Sequence, residues 1–372
     1  MTDTSDHLPP PAAVLDAPGR PTVAPDAVGR VIADDERWMA EAVAQGARAR
    51  RTVTPRPWVG AMVVTDDGAS FPGFTEGRGG PHAEVAALAR AGARARGATI
   101  YSTLEPCSHT GRTGPCADAL IAAGVARCVV GIVDPDPNVA GQGIDRLRAA
   151  GIDVAVGVGH DAVTDQLRPY LTHRTTGRPY VVCKLAATLD GRTAAPDGTS
   201  QWITGPEARA DAHRLRADSD AILVGAGTVR ADDPSLTVRL PDGEADGIEP
   251  ERLVLGRAPV GAAVHPCTEV SGPLDELLDE LGGRGIVQLM VEGGASVAGA
   301  FHRAGLVDRY VLYLAPALFG GEDARSLFAG AGAPTIGDLW RGEVVDVRRV
   351  GHDLRVDLVP RRDELAAAGG IV

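Results

Sequence analysis

The chain has 372 residues, 44% hydrophobic and 23% charged, with a formal net charge of −12 and a pI near 5.2. That length exceeds one ordinary core and predicts about two domains. The acidic balance argues against a nucleic-acid or anionic-membrane partner, since either needs clustered positive charge to neutralise phosphates.

Residues 1–30 are rich in Pro, Ala and Asp without an apolar period, which predicts a disordered tail. From Asp34, acidic residues lead into Trp38, Met39, Ala42 and Val43 on one face of an amphipathic helix. Residues 58–64, the turn Thr65-Asp66-Asp67-Gly68 and a second short strand read as a hairpin. Pro81 then opens an Ala-rich helix, residues 98–103 form a strand, Pro115 opens a helix from Cys116, and residues 128–133 form a buried strand. Strand and helix alternate to about Leu171, giving an α/β layered domain over 31–174. The polar, aperiodic run 172–179 ends in Gly and Pro and marks a boundary.

A second α/β unit is expected over 178–362, starting with a strand from Tyr180. Thr204-Gly205-Pro206-Glu207 reads as a capping box for a helix to Ala217. Residues 221–224 form a strand ending in Gly225-Ala226-Gly227-Thr228, and 286–291 a strand ending in Glu292-Gly293-Gly294, with helices at 274–281 and 296–303. Later strands fall within 310–314 and 344–359. Strand, glycine turn and helix start is an arrangement that sets backbone N–H groups against phosphate. Neither turn has the strict G-x-G-x-x-G spacing, so each is equally readable as a tight turn, and the pair together points to a nucleotide cofactor.

The chemistry concentrates between Pro81 and Cys116. His82, Cys107 and Cys116 are a nitrogen and sulfur ligand set for tetrahedral zinc, and three ligands leave one position open for water. Glu84 stands where the signature H-x-E…P-C-x-x-C carries its proton-shuttling carboxylate. Here Cys116 follows Cys107 after eight intervening residues rather than two. Buried core thiols and a satisfied core histidine remain the bland alternative. A closed structural zinc would need His109 as fourth ligand and would leave Glu84 unexplained. The five cysteines, odd in number and dispersed, read as a reduced compartment; Cys128 and Cys183 lie in apolar strands as core residues, and Cys267 carries no assignment. With no apolar run of membrane length and no signal-like start, a soluble, cytoplasmic protein is expected.

The run Thr103-Leu104-Glu105-Pro106-Cys107-Ser108-His109-Thr110-Gly111-Arg112-Thr113-Gly114-Pro115-Cys116 closely resembles the zinc loop of the bifunctional riboflavin-biosynthesis deaminase/reductase family. Residues 184–192, 200–204, 227–234 and 291–294 resemble its reductase half. The resemblance implies a cytidine-deaminase-like fold followed by a dihydrofolate-reductase-like one, with Zn2+ and NADPH as cofactors. Its implied substrate is a small phosphorylated pyrimidine, 2,5-diamino-6-ribosylamino-4-pyrimidinone 5′-phosphate, and its implied assembly a homo-oligomer, dimer or tetramer. Cofactor contacts carry over to Ala186, Trp202, Thr228, Asp232, Gly294, Ala295, Ser296, Val297, Ala298, Gly299 and Ala300. Substrate contacts carry over to Ser200, Arg216, Leu236, Arg239 and Glu292. Arg216 and Arg239 suit a phosphate clamp, and Lys184 and Glu292 are candidates for proton transfer. His109 and Arg112 are candidates for enclosing the sugar phosphate in the first site.

Several positions depart from the family pattern. Arg56 or Trp58 stands near a usual Asn, Thr75 replaces a usual His, Gly114 replaces a usual Pro, and Gly256-Arg257 falls where Asp-Ser is common. Three other readings make distinct demands. A tRNA-editing deaminase requires the short C-x-x-C spacing and a basic surface, a deaminase fused to a non-catalytic binding module predicts no hydride transfer, and a zinc-stabilised structural protein predicts that Glu84 is dispensable.

Overall fold

The computed structural model describes residues 25–361 apart from 78, 110–113, 137–138 and 241–246. The predicted tail up to residue 24 and the candidate Arg112 lie outside the described residues. Helix α1 spans Pro25–Ala47, so it starts before Asp34 and takes in the last residues of the expected tail. Proline is preorganised for a first helical position, and the helix beyond it holds no second proline and two glycines, Gly29 and Gly46.

The first unit is built on strands β1 (Gly60–Val64), β2 (Ser70–Phe74), β3 (Thr99–Leu104), β4 (Arg127–Ile132) and β5 (Asp153–Val156), ordered β2-β1-β3-β4-β5. The β1/β2 hairpin is antiparallel, and β3, β4 and β5 are parallel. Around them lie α1, α2 (Ala83–Ala91), α3 (Cys116–Ala123), α4 (Gln142–Ala149) and α5 (His160–Thr176). Two glycines let helices rest directly on the hairpin. A Cβ on Gly60 would stand 1.8 Å from the Ala42 carbonyl of α1, and one on Gly73 would stand 2.1 Å from the Ala83 carbonyl of α2. Because Gly73 pairs with Ala61, next to Gly60, the two helices lie on opposite faces. Met39 and Ala42 are buried as the helical period requires, while Asp35 receives a fork from Arg127 (2.7 and 2.8 Å) and the Tyr101 hydroxyl (2.9 Å), fixing α1 to the sheet.

The run 172–179 is not loop throughout. Helix α5 continues to Thr176, where the Thr175 and Thr176 hydroxyls turn back onto helix carbonyls, and it stops at Gly177 with φ 73°. Polar composition misled because hydroxyls that satisfy helix carbonyls belong in a final turn as readily as in a linker. The second unit then opens with β6 (Tyr180–Thr188), β7 (Arg192–Ala194), α6 (Pro206–Ala217), β8 (Ala221–Gly225), α7 (Ala226–Asp232), β9 (Glu251–Leu255) and β10 (Thr268–Val270). It continues with α8 (Leu274–Gly283), β11 (Gln288–Val291), α9 (Ala295–Arg303), β12 (Arg309–Ala315), β13 (Arg325–Ser326), β14 (Gly342–Val350) and β15 (Asp353–Pro360). The main sheet is ordered β10-β9-β8-β11-β6-β12-β15-β14, with parallel pairings except for β12/β15 and β15/β14, and β7 and β13 form a separate ribbon.

The capping box at α6 does not form. Gly205 is the N-cap, and its N–H is taken by the Asp353 carboxylate of β15 at 2.7 Å. A distant acid thus takes the N-cap N–H that Glu207 would have taken in the box, a pairing that no local pattern could reveal.

The two units meet through Arg50, just beyond α1. Its guanidinium stacks on Trp58 at 3.7 Å from the ring centroid and donates to the Asp218 carbonyl (2.7 Å) and the Gln288 side chain (2.8 Å). Trp58 is fully buried and donates its indole N–H to the Gln166 carbonyl (3.1 Å), so it is a packing residue. His173 and Gly282 add a second link at 3.0 Å.

Gly73→Ala is expected to cost roughly 1–3 kcal/mol, because backbone rather than a flexible side chain blocks the new methyl. Thermal denaturation beside Gly114→Ala, where nothing lies within 4 Å, checks this. Equal melting of both variants would show that α2 slides freely on the hairpin.

Candidate active sites in the two units

His82 is the N-cap of α2, and Cys116 is the first residue of α3 behind the N-cap Pro115. Cys107 follows β3 by way of Glu105 and Pro106. His82 Nδ1 lies 3.3 Å from Cys116 Sγ and 3.6 Å from Cys107 Sγ, and the Cys116 N–H donates to Cys107 Sγ at 3.3 Å. All three ligand atoms lie within 4.8 Å of one another. A tetrahedral zinc with ordinary Zn–S and Zn–N lengths holds nitrogen and sulfur about 3.5 Å apart. The residues present therefore fit zinc.

The electrostatics agree with a donor set. The Cys116 thiol, and after it the His82 ring, hydrogen-bonds Cys107 and holds its thiol down to about 4 against the opposing effect of burial. Cys116 is pushed up in return, first by that same hydrogen bond and then by burial. One proton is shared between the sulfurs, and a dication coordinating both displaces it. Glu84 lies on the first turn of α2, 3% exposed, and burial pushes its carboxyl up to about 7 while the His82 ring pulls the other way.

Glu105 is a residue that sequence reasoning passed over. Its buried carboxylate accepts N–H bonds from Gly143 (2.8 Å), Gly141 (2.9 Å), Asp134 (3.3 Å) and Ile144 (3.3 Å), tying the segment before Cys107 to the N-terminus of α4. Gly143 permits the approach, since a Cβ there would stand 1.9 Å from the Pro106 carbonyl. An acid immediately before Pro-Cys was the available signal, but its partners lie some forty residues on.

The departures from the family pattern take definite places. Arg56 donates to the Glu76 and Gly77 carbonyls (2.9 and 2.8 Å) and adds positive charge near His82. Thr75 is buried, accepting the Val59 N–H and donating to the Pro57 carbonyl, both at 3.1 Å, so it ties β2 to the start of β1. His109 is exposed.

In the second unit, the carboxyl ends of parallel strands β8, β11 and β6 open one crevice, the usual ligand site of such sheets. The two glycine turns meet there: Gly294, the N-cap of α9, donates its N–H to Thr228 Oγ1 at 3.1 Å. A Cβ on Gly293 would collide with Val297 at 2.5 Å, and one on Gly294 would press on Thr228 at 3.2 Å, leaving a cradle that fits a nucleotide phosphate. Gly294 and Ser296 are exposed and Ala300 half-buried, whereas Ala295, Val297, Ala298 and Gly299 are buried. Val297 and Ala298 join the core, and Gly299 abuts the Ala329 carbonyl. Ser200 Oγ donates to Asp232 Oδ1 at 3.3 Å, Trp202 is 68% exposed with Arg209 over its ring, and Ala186 lies on β6 opposite Tyr313.

Arg216 grips Glu292 through a fork, Nε to Oε1 at 3.0 Å and Nη2 to Oε2 at 2.9 Å, and donates Nη1 to the Thr237 carbonyl at 2.7 Å. Burial would raise the Glu292 carboxyl, but Arg216 and then Lys184 outweigh it and hold the group ionised. Leu236 is buried with φ 53°, and Arg239 is exposed.

Residues 32–132 match the cytidine and deoxycytidylate deaminase zinc-binding region, and residues 179–356 match the RibD C-terminal domain. The chain is 42% identical to riboflavin biosynthesis protein RibD of Escherichia coli over 364 residues, 87% of this chain and 99% of that protein. It is 41% identical to RibD of Mycobacterium tuberculosis over 332 residues, 87% and 96% of the two chains. Among solved structures, Acinetobacter baumannii RibD superposes with a TM-score of 0.82 at 38% identity, covering 89% of this chain and all of that one. A Thermotoga maritima protein described as a diaminohydroxyphosphoribosylaminopyrimidine deaminase/5-amino-6-(5-phosphoribosylamino)uracil reductase gives 0.80 at 32% identity, with 89% of this chain covered.

Glu105→Gln puts an amide N–H against N–H groups that now meet a carboxylate. Zinc affinity is expected to fall about tenfold, the usual cost of disturbing a residue that supports a ligand, as read by competition with a chromogenic chelator. Unchanged affinity would remove Glu105 from the site.

Proposed function

Since the chain belongs to the RibD family of riboflavin biosynthesis, joining a zinc deaminase to a reductase, we propose that it deaminates 2,5-diamino-6-ribosylamino-4-pyrimidinone 5′-phosphate and reduces the ribosyl group of the product. The observation that carries the first step is the convergence of His82, Cys107 and Cys116 with a buried Glu84 beside them. These three residues hold the zinc, which when bound supplies a water of near-neutral pKa and Lewis acidity. Glu84 takes a proton from the attacking water and passes it to the ring nitrogen, then takes the proton of the new hydroxyl on the ring carbon and passes it to the departing amine. The C–N bond breaks, ammonia leaves and a carbonyl remains.

In the second unit NADPH, when bound, would supply hydride for the first sugar carbon. The turn at Gly294 and the Thr228 hydroxyl seat its phosphates, with Ser200 and Asp232 across the crevice. Lys184 and Glu292 form the polar pair that moves a proton as the sugar opens, and Arg216 orients Glu292. Arg216 and Arg239 hold the substrate phosphate. The break between the activities falls at Gly177 to Pro179, between α5 and β6.

Among the described residues no helix is long and apolar enough to cross a membrane, and all five cysteines are free thiols. Both support a place in the cytoplasm. The homo-oligomer reading draws support from β14, an edge strand whose Val344, Val345 and Val347 are 56%, 45% and 58% exposed. An apolar edge of that kind favours pairing with a second copy.

Two measurements test these readings. With the phosphorylated diaminopyrimidinone, Glu84→Gln should keep its zinc yet release ammonia at least 100-fold more slowly, while NADPH oxidation with the deaminated compound stays normal. Ammonia release at the wild-type rate would end the role given to Glu84. Light scattering should give a mass above one chain, falling in Val345→Lys; a wild-type monomer at micromolar concentration would end the oligomer reading.

A further inference from the structure

His213 lies on α6, one helical turn before Arg216, and is half-buried. Its Nδ1 accepts the backbone N–H of Arg239 at 3.2 Å and stands 3.5 Å from Arg216 Nη1. The same Nη1 is fastened to the Thr237 carbonyl, and the Val238 N–H goes to the Glu249 carboxylate at 3.0 Å. The segment carrying Arg239 is thus held at successive residues, and one ring nitrogen touches both arginines.

We infer that His213 is a positioning residue for the phosphate end of the reductase substrate: as a lone-pair acceptor at Nδ1, it fixes the Arg239 backbone beside the Arg216 guanidinium, so that the two cations face one phosphate. This rests on the reading that Arg216 and Arg239 take that phosphate. Arg216 is already held by Glu292 and Thr237, so the arginine that needs a brace is Arg239, which without one moves away from the Arg216 cation into solvent and leaves the phosphate one cation instead of two. An imidazole serves here because it brings an acceptor without adding charge. Burial first, then Arg216 and Arg239, push His213 down to about 4, so the ring stays neutral at physiological pH and Nδ1 keeps its lone pair. A charged ring would turn that acceptor into a donor and add a third cation. A carboxylate in its place would put a second anion beside Glu292, which already takes the Arg216 fork, and would repel the incoming phosphate. Helix α6 also explains why the brace is local: residues 213 and 216 share a face, so the group that supports the arginine comes from the same rigid element.

The test uses the full-length enzyme and two reductase substrates, the deaminated aminopyrimidine with and without its 5′-phosphate. With the phosphorylated compound, His213→Ala should raise KM about tenfold and leave kcat within about twofold, the signature of lost ground-state binding. With the dephosphorylated compound it should match wild type. His213→Asn, whose Oδ1 can stand in for Nδ1, should recover most of the loss. If His213→Ala weakens both substrates equally, or if His213→Asn folds and recovers nothing, the positioning role is wrong. Arg239→Ala separates the two levels of the argument. If it leaves the preference for the phosphorylated compound intact, the clamp itself falls; if it abolishes that preference while His213→Ala does not reduce it, the clamp stands and the role of His213 falls.

Discussion

Bringing one imidazole and two thiols within 4.8 Å is the constraint on which the first unit depends. The donors come from the ends of two helices and a strand, so the helices must be seated with little tolerance. Gly73 provides the seat for α2, and Glu105 fixes the strand exit by gathering the N–H groups at the start of α4. The α1 helix is held in turn by Asp35, whose partners Tyr101 and Arg127 lie on β3 and β4. A sheet with one antiparallel hairpin and three parallel strands places His82, Glu84, Cys107 and Cys116 at one end, where helix N-termini favour thiolate.

The second unit, which matches the RibD C-terminal domain, is organised differently. Its parallel strands end in short glycine turns that meet where the Gly294 N–H donates to Thr228 Oγ1. Two candidate pairs are already joined, Arg216 with Glu292 and Ser200 with Asp232. The first keeps the buried Glu292 charge compensated.

Much of this was legible in the sequence, for reasons that differ by residue. His82, Glu84, Cys107 and Cys116 stand out because metal chemistry demands particular donors, and proline marks the helix starts beside them. The strands from Tyr180, Ala221 and Tyr310 were legible as apolar runs. What stayed hidden depends on partners remote in the chain. The Gly205 N–H finds Asp353, Glu105 finds the loop before α4, and His213 finds Arg239. No local pattern encodes these pairings. Thr172 to Thr176 were misread for the opposite reason, since their hydroxyls return to nearby helix carbonyls and polar content alone resembles a linker. The run from Gly294 to Ala300, expected as a unit to face a cofactor, forms a helix start that turns Val297, Ala298 and Gly299 into the core and leaves Gly294 and Ser296 at the surface.

Arg50 gives the join between the units an asymmetry that matters to anyone dividing them. The cation and the Trp58 ring beneath it belong to the deaminase half, whereas the acceptors at Asp218 and Gln288 belong to the reductase half. A deaminase half expressed alone would carry the guanidinium without its acceptors; a reductase half alone would take Asp165 from Arg309 and uncover Val287, which packs into the core of the first unit. Gene splitting therefore calls for redesign on both sides, at Arg50 in one fragment and at Arg309 and Val287 in the other.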